Sequence, residues 1–254
     1  MKFGSPPKNL REESYRKPLS IDDHKYSRGI VAVAAGTKQY PGAAVLAVGG
    51  ARRGGAGYVK YFSNDEKLRS SVVSQFPDVV PLTNLSRQRM DALVVGPGGS
   101  VIKKLPPLIP IVLDSAALPL ALNHRDGITV VTPHEGELSL LKTARGDRRE
   151  VAEHLSRTLG VTVVLKGNRT VIASAGNRTR IDTIGGPELA TAGSGDILAG
   201  LIGSMLATWR PDNSHDGHEV ICNAVELHSR AGRYAARNFR SVTAMEILES
   251  LRHI

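Results

Sequence analysis

A single aspartate stands at the start of an apolar helical pattern in residues 191–209, which read TAGSGDILAGLIGSMLATW. The small residues before Asp196 can turn successive backbone amides toward one point; they are Ala192, Gly193, Ser194 and Gly195. Unpaired amides at a helix N-terminus form an anion site. A carboxylate beside a bound phosphate is explained if it takes a proton from a hydroxyl that attacks the phosphate. The alternative is that Asp196 only caps the helix.

Two further segments join charged groups to the ends of apolar runs. Residues 132–137, TPHEGE, bring His134 and two carboxylates to such a point. They are candidates for ligand contact, or else Thr132 caps a helix whose first turn carries acids. Lys166 and Gly167 follow the run VTVVL. Lys166 is either a contact for a nucleotide phosphate or ribose, or the solvated end of a strand.

A glycine-rich turn, GPGG, follows Val95. Glycines here allow the backbone to approach a ligand closely, and a simple tight turn would use the same residues. The residues themselves leave both interpretations open.

The elements that position these segments alternate between strands and helices. Apolar and β-branched runs predict strands within residues 29–36, 57–62, 91–99, 109–115, 127–133 and 161–167, and a hairpin over 168–181 turned at Gly176-Asn177. Helices are predicted from Pro41, over 147–159 before Gly160, over 218–238, and after Thr243, which opens a capping box. This alternation indicates an α/β domain with a mostly parallel sheet and helices on both faces. Ligands of such sheets bind beyond the carboxyl ends of the strands.

Length and composition favour one domain. The chain has 254 residues, and we expect a single catalytic domain over residues 21–254 after a flexible lead-in over residues 1–20. The single cysteine, Cys222, excludes an internal disulfide and favours a reducing cytoplasm. No apolar run reaches the ~20 residues of a membrane span, and the N-terminus lacks the apolar core of a signal peptide.

The net charge is +9 at pH 7, which raises the question of a nucleic-acid partner. The basic residues are scattered in pairs, and aromatic residues make up only 4% of the chain, so stacking platforms for bases are scarce. A phosphorylated small molecule accounts for the charge as well, and we do not expect nucleic-acid binding.

Taken together, the motifs resemble a known family. The segment TAGSGDILAG is similar to the glycine-rich anion hole with catalytic aspartate of the ribokinase-like superfamily, whose fold is a three-layer α/β/α domain. The full set resembles one branch of it, the ADP/ATP-dependent NAD(P)H-hydrate dehydratases. The matching segments are residues 24–59, 94–99, 131–138, 163–172 and 191–200.

This resemblance implies an activity. The family restores NADH and NADPH whose nicotinamide ring has been hydrated: a nucleotide phosphorylates the ring hydroxyl, and phosphate is then eliminated. Bacterial members typically use ADP and eukaryotic members ATP, with Mg²⁺. Asp196 would be the base that activates the hydroxyl. Glu137 falls where related kinases carry Asn-x-x-Glu, and would orient a magnesium-bound water.

The resemblance also implies binding residues. The amides of Gly193, Ser194 and Gly195 would hold the transferring phosphate. Contacts to the adenine nucleotide would come from Lys166, Gly167, Asn168, Arg169, Thr170 and Gly195. The hydrated dinucleotide would be lined by Ala43, Gly98, His134 and Asp196.

Two departures from the family pattern are visible. Members usually carry Asp-Ala-Asp-Ala-Leu where this chain has Asp114, Ser115 and then Ala116, so the second aspartate is missing. Some bacterial members carry a fused epimerase domain; we do not expect one here, and we expect a separate epimerase to act on the same substrate. Relatives tend toward tetramers, so a homotetramer is expected.

Two other functions fit some of the same features. A ribokinase-like kinase of a thiazole or pyrimidine alcohol would share the anion hole and the Lys-Gly pair, but YPGAA and TPHEGE resemble the dehydratase branch. A nucleotide sensor without catalysis would have no need of an intact Gly-Ser-Gly-Asp.

Overall fold

The structure is a computed structural model that describes residues 15–142 and 146–254. Within them a nine-stranded sheet runs in the order β3-β2-β1-β4-β5-β6-β7-β8-β9. The strands are β1 Ile30–Ala34, β2 Tyr58–Phe62, β3 Val80–Leu82, β4 Ala92–Val95, β5 Ile111–Leu113, β6 Thr129–Val131, β7 Thr162–Leu165, β8 Val171–Ala173 and β9 Arg180–Ile181. Neighbours from β3 to β7 are parallel, and β8 and β9 are added antiparallel. The expected α/β architecture with a mostly parallel sheet is confirmed.

Helices cover both faces of the sheet. They are α1 Pro41–Arg53, α2 Glu66–Gln75, α3 Arg148–Leu159, α4 Ser194–Trp209, α5 Ser214–Asn238 and α6 Ala244–Ser250, with short 3₁₀ segments at Pro97–Gly99, Ser115–Leu122, Glu135–Leu141 and Pro187–Leu189. Alternate residues of each strand enter opposite cores. Val31 and Val33 pack with α1, α4 and α5, whereas Ala32 and Ala34 pack on the side of α3.

The five predicted helices form, including α4 after the glycine-rich turn, although α5 begins earlier than its apolar pattern, at Ser214. Gly160 ends α3 at φ 66°, and Thr243 and Glu246 form the capping box of α6. Two elements were not predicted. The edge strand β3 contains Pro81, a residue that argues against a strand, and α2 buries only Leu68 and Val72. Both are too short or too polar for periodicity to reveal.

The predicted lead-in is described only from residue 15, and residues 1–14 lie outside the described part. Tyr15 Oη donates to Glu226 Oε1 at 2.6 Å. The Arg16 guanidinium donates to the carbonyls of Arg53, Leu251 and Ile254. In residues 15–142 and 146–254 no helix is both long and apolar enough to span a bilayer.

Close packing of α1 on α4 fixes the segment that carries Asp196. A Cβ on Gly50 would lie 2.1 Å from the carbonyl oxygen of Ile197, and one on Gly200 would lie 1.9 Å from that of Ala47. Only glycine allows this approach of the two helix backbones. The N-terminus of α4 is thereby held at the carboxyl edge of the parallel strands.

Candidate active site

The carboxyl ends of the parallel strands surround a cavity of about 290 Å³, which we call the substrate cavity. All four segments singled out in the sequence contribute to it: the glycine turn, the TPHEGE loop, Lys166 and the start of α4. Its lining residues are Gly98, Asp114, Ser115, His134, Glu137, Lys166, Leu189, Thr191, Gly193, Ser194, Gly195 and Asp196. These segments therefore meet at the carboxyl edge of the parallel strands, as expected for such a sheet.

Asp196 lies in the first turn of α4 and is largely buried. The pKa of its carboxyl is raised to about 7, first by burial and then by the negative charges of Asp114 and Glu137, while the positive charge of Lys166 opposes the shift. A carboxyl with a pKa near neutral pH can accept a proton from a hydroxyl and release it again.

Lys166 and Asp114 form a buried ion pair at the centre of the site. Lys166 Nζ lies 2.7 Å from Asp114 Oδ1 and 3.9 Å from Glu137 Oε2. Thr132 Oγ1 donates to Asp114 Oδ1 at 2.6 Å, so Thr132 supports Asp114 and does not cap a helix. The lysine is not a solvated strand end: its side chain is 17% exposed and lines a cavity on either side of it.

The TPHEGE loop is tied to the strand that carries Lys166. His134 pairs with Lys166 in an isolated parallel bridge, and the Lys166 amide donates to the carbonyl of Pro133 at 2.8 Å. The His134 amide donates to Glu137 Oε2 at 2.9 Å, which turns the Glu137 carboxylate toward Lys166. These contacts place Lys166, His134 and Glu137 next to one another at the carboxyl ends of β6 and β7.

A second and larger cavity, of about 440 Å³, lies on the other side of Lys166, and we call it the nucleotide cavity. All five residues that were predicted to contact a nucleotide between Lys166 and Thr170 line it. Its other walls are formed by Asp182, Gly185, Gly186, Pro187, Leu189, Ala190, Ser194, Gly195, Leu198, Val225, His228 and Ser229.

The two cavities meet at one point. Lys166, Leu189, Ser194 and Gly195 line both, whereas Asp196 lines only the substrate cavity. A Cβ on Gly195 would lie 3.2 Å from Lys166 Nζ, so the helix backbone and the ammonium group flank a narrow passage. A group held in one cavity can meet a group held in the other at this passage, where the two linings overlap.

The start of α4 supplies backbone donors, though not all those predicted. The Ser194 amide donates to the carbonyl of Thr191 at 3.2 Å and is thus engaged within the chain. Within residues 15–142 and 146–254, the amides of Gly193, Gly195 and Asp196 have no hydrogen-bond acceptor. The assignment of an anion hole to residues 192–195 stays a prediction, and these free donors support it.

The Ser194 side chain reveals a buried partner that the sequence reading missed. Its Oγ lies 3.2 Å from Nε2 of His228, which is 4% exposed. Burial lowers the pKa of His228 to about 4, so the ring is neutral at pH 7. Its position on α5, whose buried face includes Leu227, gave no sign of a role beside α4.

Ala43 and Gly98, which were both predicted to line the hydrated dinucleotide, lie against each other. A Cβ on Gly98, which has φ 66°, would lie 2.4 Å from the Ala43 Cβ. Gly98 lines the substrate cavity, whereas Ala43 is 7% exposed beneath it and does not. Ala116, which stands where the family usually has aspartate, is exposed next to Ser115.

The carboxylates of the site do not form a metal cage. Among the described residues, no group of three His, Cys, Asp or Glu side chains could hold a metal ion directly. Glu137 lines the substrate cavity, and its Oε2 already accepts the His134 amide. Such a donor set fits Mg²⁺ held mainly by phosphates and water, which is the usual arrangement for this ion.

Comparison with known proteins identifies the family. The family model described as NAD(P)H-hydrate dehydratase matches residues 31–253. The chain belongs to this family. It is 33% identical to the ADP-dependent (S)-NAD(P)H-hydrate dehydratase of Neisseria meningitidis, over 87% of this chain and 82% of that protein.

Other relatives are longer. The chain is 37% identical to a bifunctional NAD(P)H-hydrate repair enzyme of Mycobacterium tuberculosis, over 74% of this chain but only 43% of that protein. It therefore spans less than half the length of such curated relatives. The ADP/ATP-dependent NAD(P)H-hydrate dehydratase of Bacillus subtilis, co-crystallised with ATP and Mg²⁺, superposes with a TM-score of 0.77 at 26% identity, covering 93% of this chain and 92% of that one. The expected ribokinase-like fold is confirmed: a ribokinase-like superfamily protein of Enterococcus faecalis gives a TM-score of 0.82 at 26% identity, over 93% and 89% of the two chains.

Proposed function

We propose that this chain dehydrates hydrated NADH or NADPH at the expense of ADP or ATP. The observation that carries the proposal is the arrangement of two cavities that meet beside Lys166 and Gly195, with Asp196 facing only one of them. An adenine nucleotide in the nucleotide cavity directs its terminal phosphate into the passage. The hydrated nicotinamide occupies the substrate cavity, where its hydroxyl meets Asp196.

The first step is transfer of a phosphoryl group. Asp196 accepts the proton of the ring hydroxyl as the hydroxyl oxygen forms a bond to the terminal phosphorus. The bond from that phosphorus to its bridging oxygen breaks, and the shortened nucleotide leaves. Lys166 and the free amides at the start of α4 face the phosphate oxygens, whose charge they stabilise.

The second step restores the double bond. Phosphate departs with the electrons of the carbon–oxygen bond and takes up the proton that the neighbouring ring carbon releases, while the electrons of that carbon–hydrogen bond form the double bond. Phosphate is a far better leaving group than hydroxide, which explains the use of a nucleotide in a dehydration. The outcome is the reduced dinucleotide, inorganic phosphate and the shortened nucleotide.

Mg²⁺ belongs to this proposal as a companion of the nucleotide. Bound to the phosphates, it would neutralise their negative charge. Glu137, 14% exposed and next to Lys166, is the residue placed to contact its water shell. We further infer from the family resemblance a cytoplasmic homotetramer that works with an NAD(P)H-hydrate epimerase, and light scattering after size-exclusion chromatography tests the tetramer.

Incubation of the protein with hydrated NADH, ADP and Mg²⁺ is expected to regenerate the near-ultraviolet absorbance of reduced nicotinamide. One inorganic phosphate and one AMP should appear for each NADH formed. The control omits the nucleotide, and a parallel reaction with ATP decides the preferred donor. A kinase that stops after the first step would consume nucleotide without recovery of absorbance, and that result would contradict the proposal.

The pH dependence of kcat/KM is expected to show an acid limb with a midpoint near pH 7. Asp196 must be ionised to act as a base, and its pKa is raised to about 7, so activity falls as pH drops through that value. Asp114→Asn removes a negative charge that raises this pKa, and the midpoint should move down by about one pH unit.

The profile of kcat/KM from pH 5 to 9 measures this shift. Glu150→Gln, an exposed carboxylate in the first turn of α3, serves as the control and should leave the midpoint unchanged. An unchanged or raised midpoint in Asp114→Asn would show that Asp196 is not the titrating group.

A further inference from the structure

The loop after β7, residues 165–169, is held from behind by a single guanidinium. Arg148 Nη2 donates to the carbonyls of Leu165 and Lys166, both at 3.1 Å. Its Nη1 donates to the carbonyl of Arg169 at 3.3 Å and to that of Asn168. Four of the five carbonyls of residues 165–169 thus face the side chain of Arg148, the first residue of α3.

This loop has a conformation that needs support. Gly167 has φ 149° and Arg169 has φ 60°, both in the region that side chains other than glycine avoid. Residues 167–169 are exposed and lie outside the strands. Hydrogen bonds to a charged donor are stronger than those between neutral groups, so Arg148 supplies the stabilisation that the sheet does not.

The direction of the carbonyls determines that of the amides. In a planar trans peptide, N–H and C=O point in opposite directions. The carbonyls of Lys166 and Asn168 turn toward Arg148, so the amides of Gly167 and Arg169 turn away from it. In the described part of the chain these two amides have no acceptor. Both residues line the nucleotide cavity, whereas Arg148 does not.

Arg148 is not a phosphate ligand in this arrangement. A guanidinium offers five N–H donors. Four contacts from Nη1 and Nη2 go to carbonyls, and Nε is buried in an ion pair with Glu135 Oε1 at 3.0 Å, without a well-aligned hydrogen bond. Glu135 stands between His134 and Glu137, so the same side chain ties the nucleotide loop to the loop of the substrate cavity.

We propose that Arg148 is a positioning residue for the nucleotide: it fixes residues 165–169 so that their free amides face the nucleotide cavity. The proposal rests on the proposed function, because the nucleotide is the ligand concerned. The close packing of Gly167 against the Arg148 guanidinium supports this proposal. A Cβ there would lie 2.6 Å from Arg148 Nη2, so only glycine lets the guanidinium reach the carbonyls.

Calorimetric titration of ADP tests the proposal on the full chain. Arg148→Lys is expected to raise the Kd for ADP about tenfold, since an ammonium group cannot reach four carbonyls at once, and Arg148→Met should raise it further. kcat at saturating ADP should change less than about threefold, because the reacting groups are untouched. Arg149→Lys is the matched control: Arg149 is the next residue of α3, pairs with Glu153, and should leave the Kd for ADP unchanged.

The outcomes separate the possible roles. A purely structural role would lower the fraction of active protein, so that kcat falls while the Kd of the remainder is unchanged, and this result would overturn the proposal. Glu135→Gln should raise the Kd less than Arg148→Lys, and the double variant should match Arg148→Lys alone, because both act on one contact. Equal ADP binding by wild type and Arg148→Lys would remove the positioning role only. Failure of wild type to bind either ADP or ATP would remove the proposed function as well.

Discussion

Asp196→Asn is expected to lower kcat for the dehydration by about 10³-fold or more while the Kd for ADP stays within about threefold of wild type. The amide has nearly the shape of the carboxylate but cannot accept the hydroxyl proton. It also removes the negative charge that faces the phosphate, so nucleotide binding has no reason to weaken. Single-turnover kinetics and calorimetry on the same protein measure the two effects.

The same substitution should stabilise the fold, which separates loss of chemistry from loss of structure. Burial raises the pKa of Asp196 to about 7, from 3.8 for a free side chain. Between these values the folded state binds more protons than the unfolded state, so stability falls as pH rises through this window and stays low above it. At pH 8 the neutral amide avoids the cost of a buried ionised carboxylate, and we expect a gain of about 1–3 kcal/mol in the free energy of unfolding.

Urea denaturation at pH 8 and pH 5 checks this linkage, and the gap between Asp196→Asn and wild type should shrink at the lower pH. Glu150→Gln, with its exposed carboxylate, should show no such gap. Near wild-type turnover of Asp196→Asn would refute the assigned base, and a loss of stability at pH 8 would refute the cost of ionising this carboxyl in the folded state.

The sequence predicted those features that depend on residues close to one another in the chain. Continuous apolar runs located the six central parallel strands in order, and the rule that ligands bind at their carboxyl ends then brought Gly98, His134, Lys166 and Asp196 to one place. Because a strand end and the loop after it are adjacent in the chain, the site could be assembled without any tertiary contact being known.

Contacts between distant segments could not be predicted in this way. Arg148 faces carbonyls some twenty residues later, and His228 meets Ser194 across two helices. Neither has a local pattern: Arg148 looks like a solvated residue at the start of α3, and His228 like part of an apolar helix face. In the sequence, the Asp114 loop was notable because it lacks the second aspartate of the family pattern. In the structure, Asp114 itself forms an ion pair with Lys166. The amide of Ser194 is engaged by Thr191, a detail of turn geometry that residue types do not determine.

Gly195→Val is expected to raise the Kd for ADP by at least about 100-fold, equivalent to roughly 3 kcal/mol. The new Cβ would lie 3.2 Å from Lys166 Nζ, and the two methyl groups beyond it would fill the passage between the cavities. A β-branched side chain in a helix has one strongly preferred rotamer, so valine cannot turn away from the ammonium group. Gly195→Ala is the graded control: a single methyl group needs only a small shift of a flexible lysine, and the Kd should rise only about threefold.

The backbone of α4 cannot retreat to relieve this crowding. The Ile197 carbonyl of α4 packs against Gly50 of α1, and the Ala47 carbonyl of α1 packs against Gly200 of α4, so a movement of Gly195 away from Lys166 would drive the two helices into each other. The strain must therefore fall on Lys166, which would be pushed from Asp114, and on any phosphate in the passage. An unchanged melting temperature together with lost ADP binding identifies this cause. If Gly195→Val binds ADP as wild type does, the phosphates do not pass this turn, and transfer to a hydroxyl beside Asp196 is impossible in the proposed geometry.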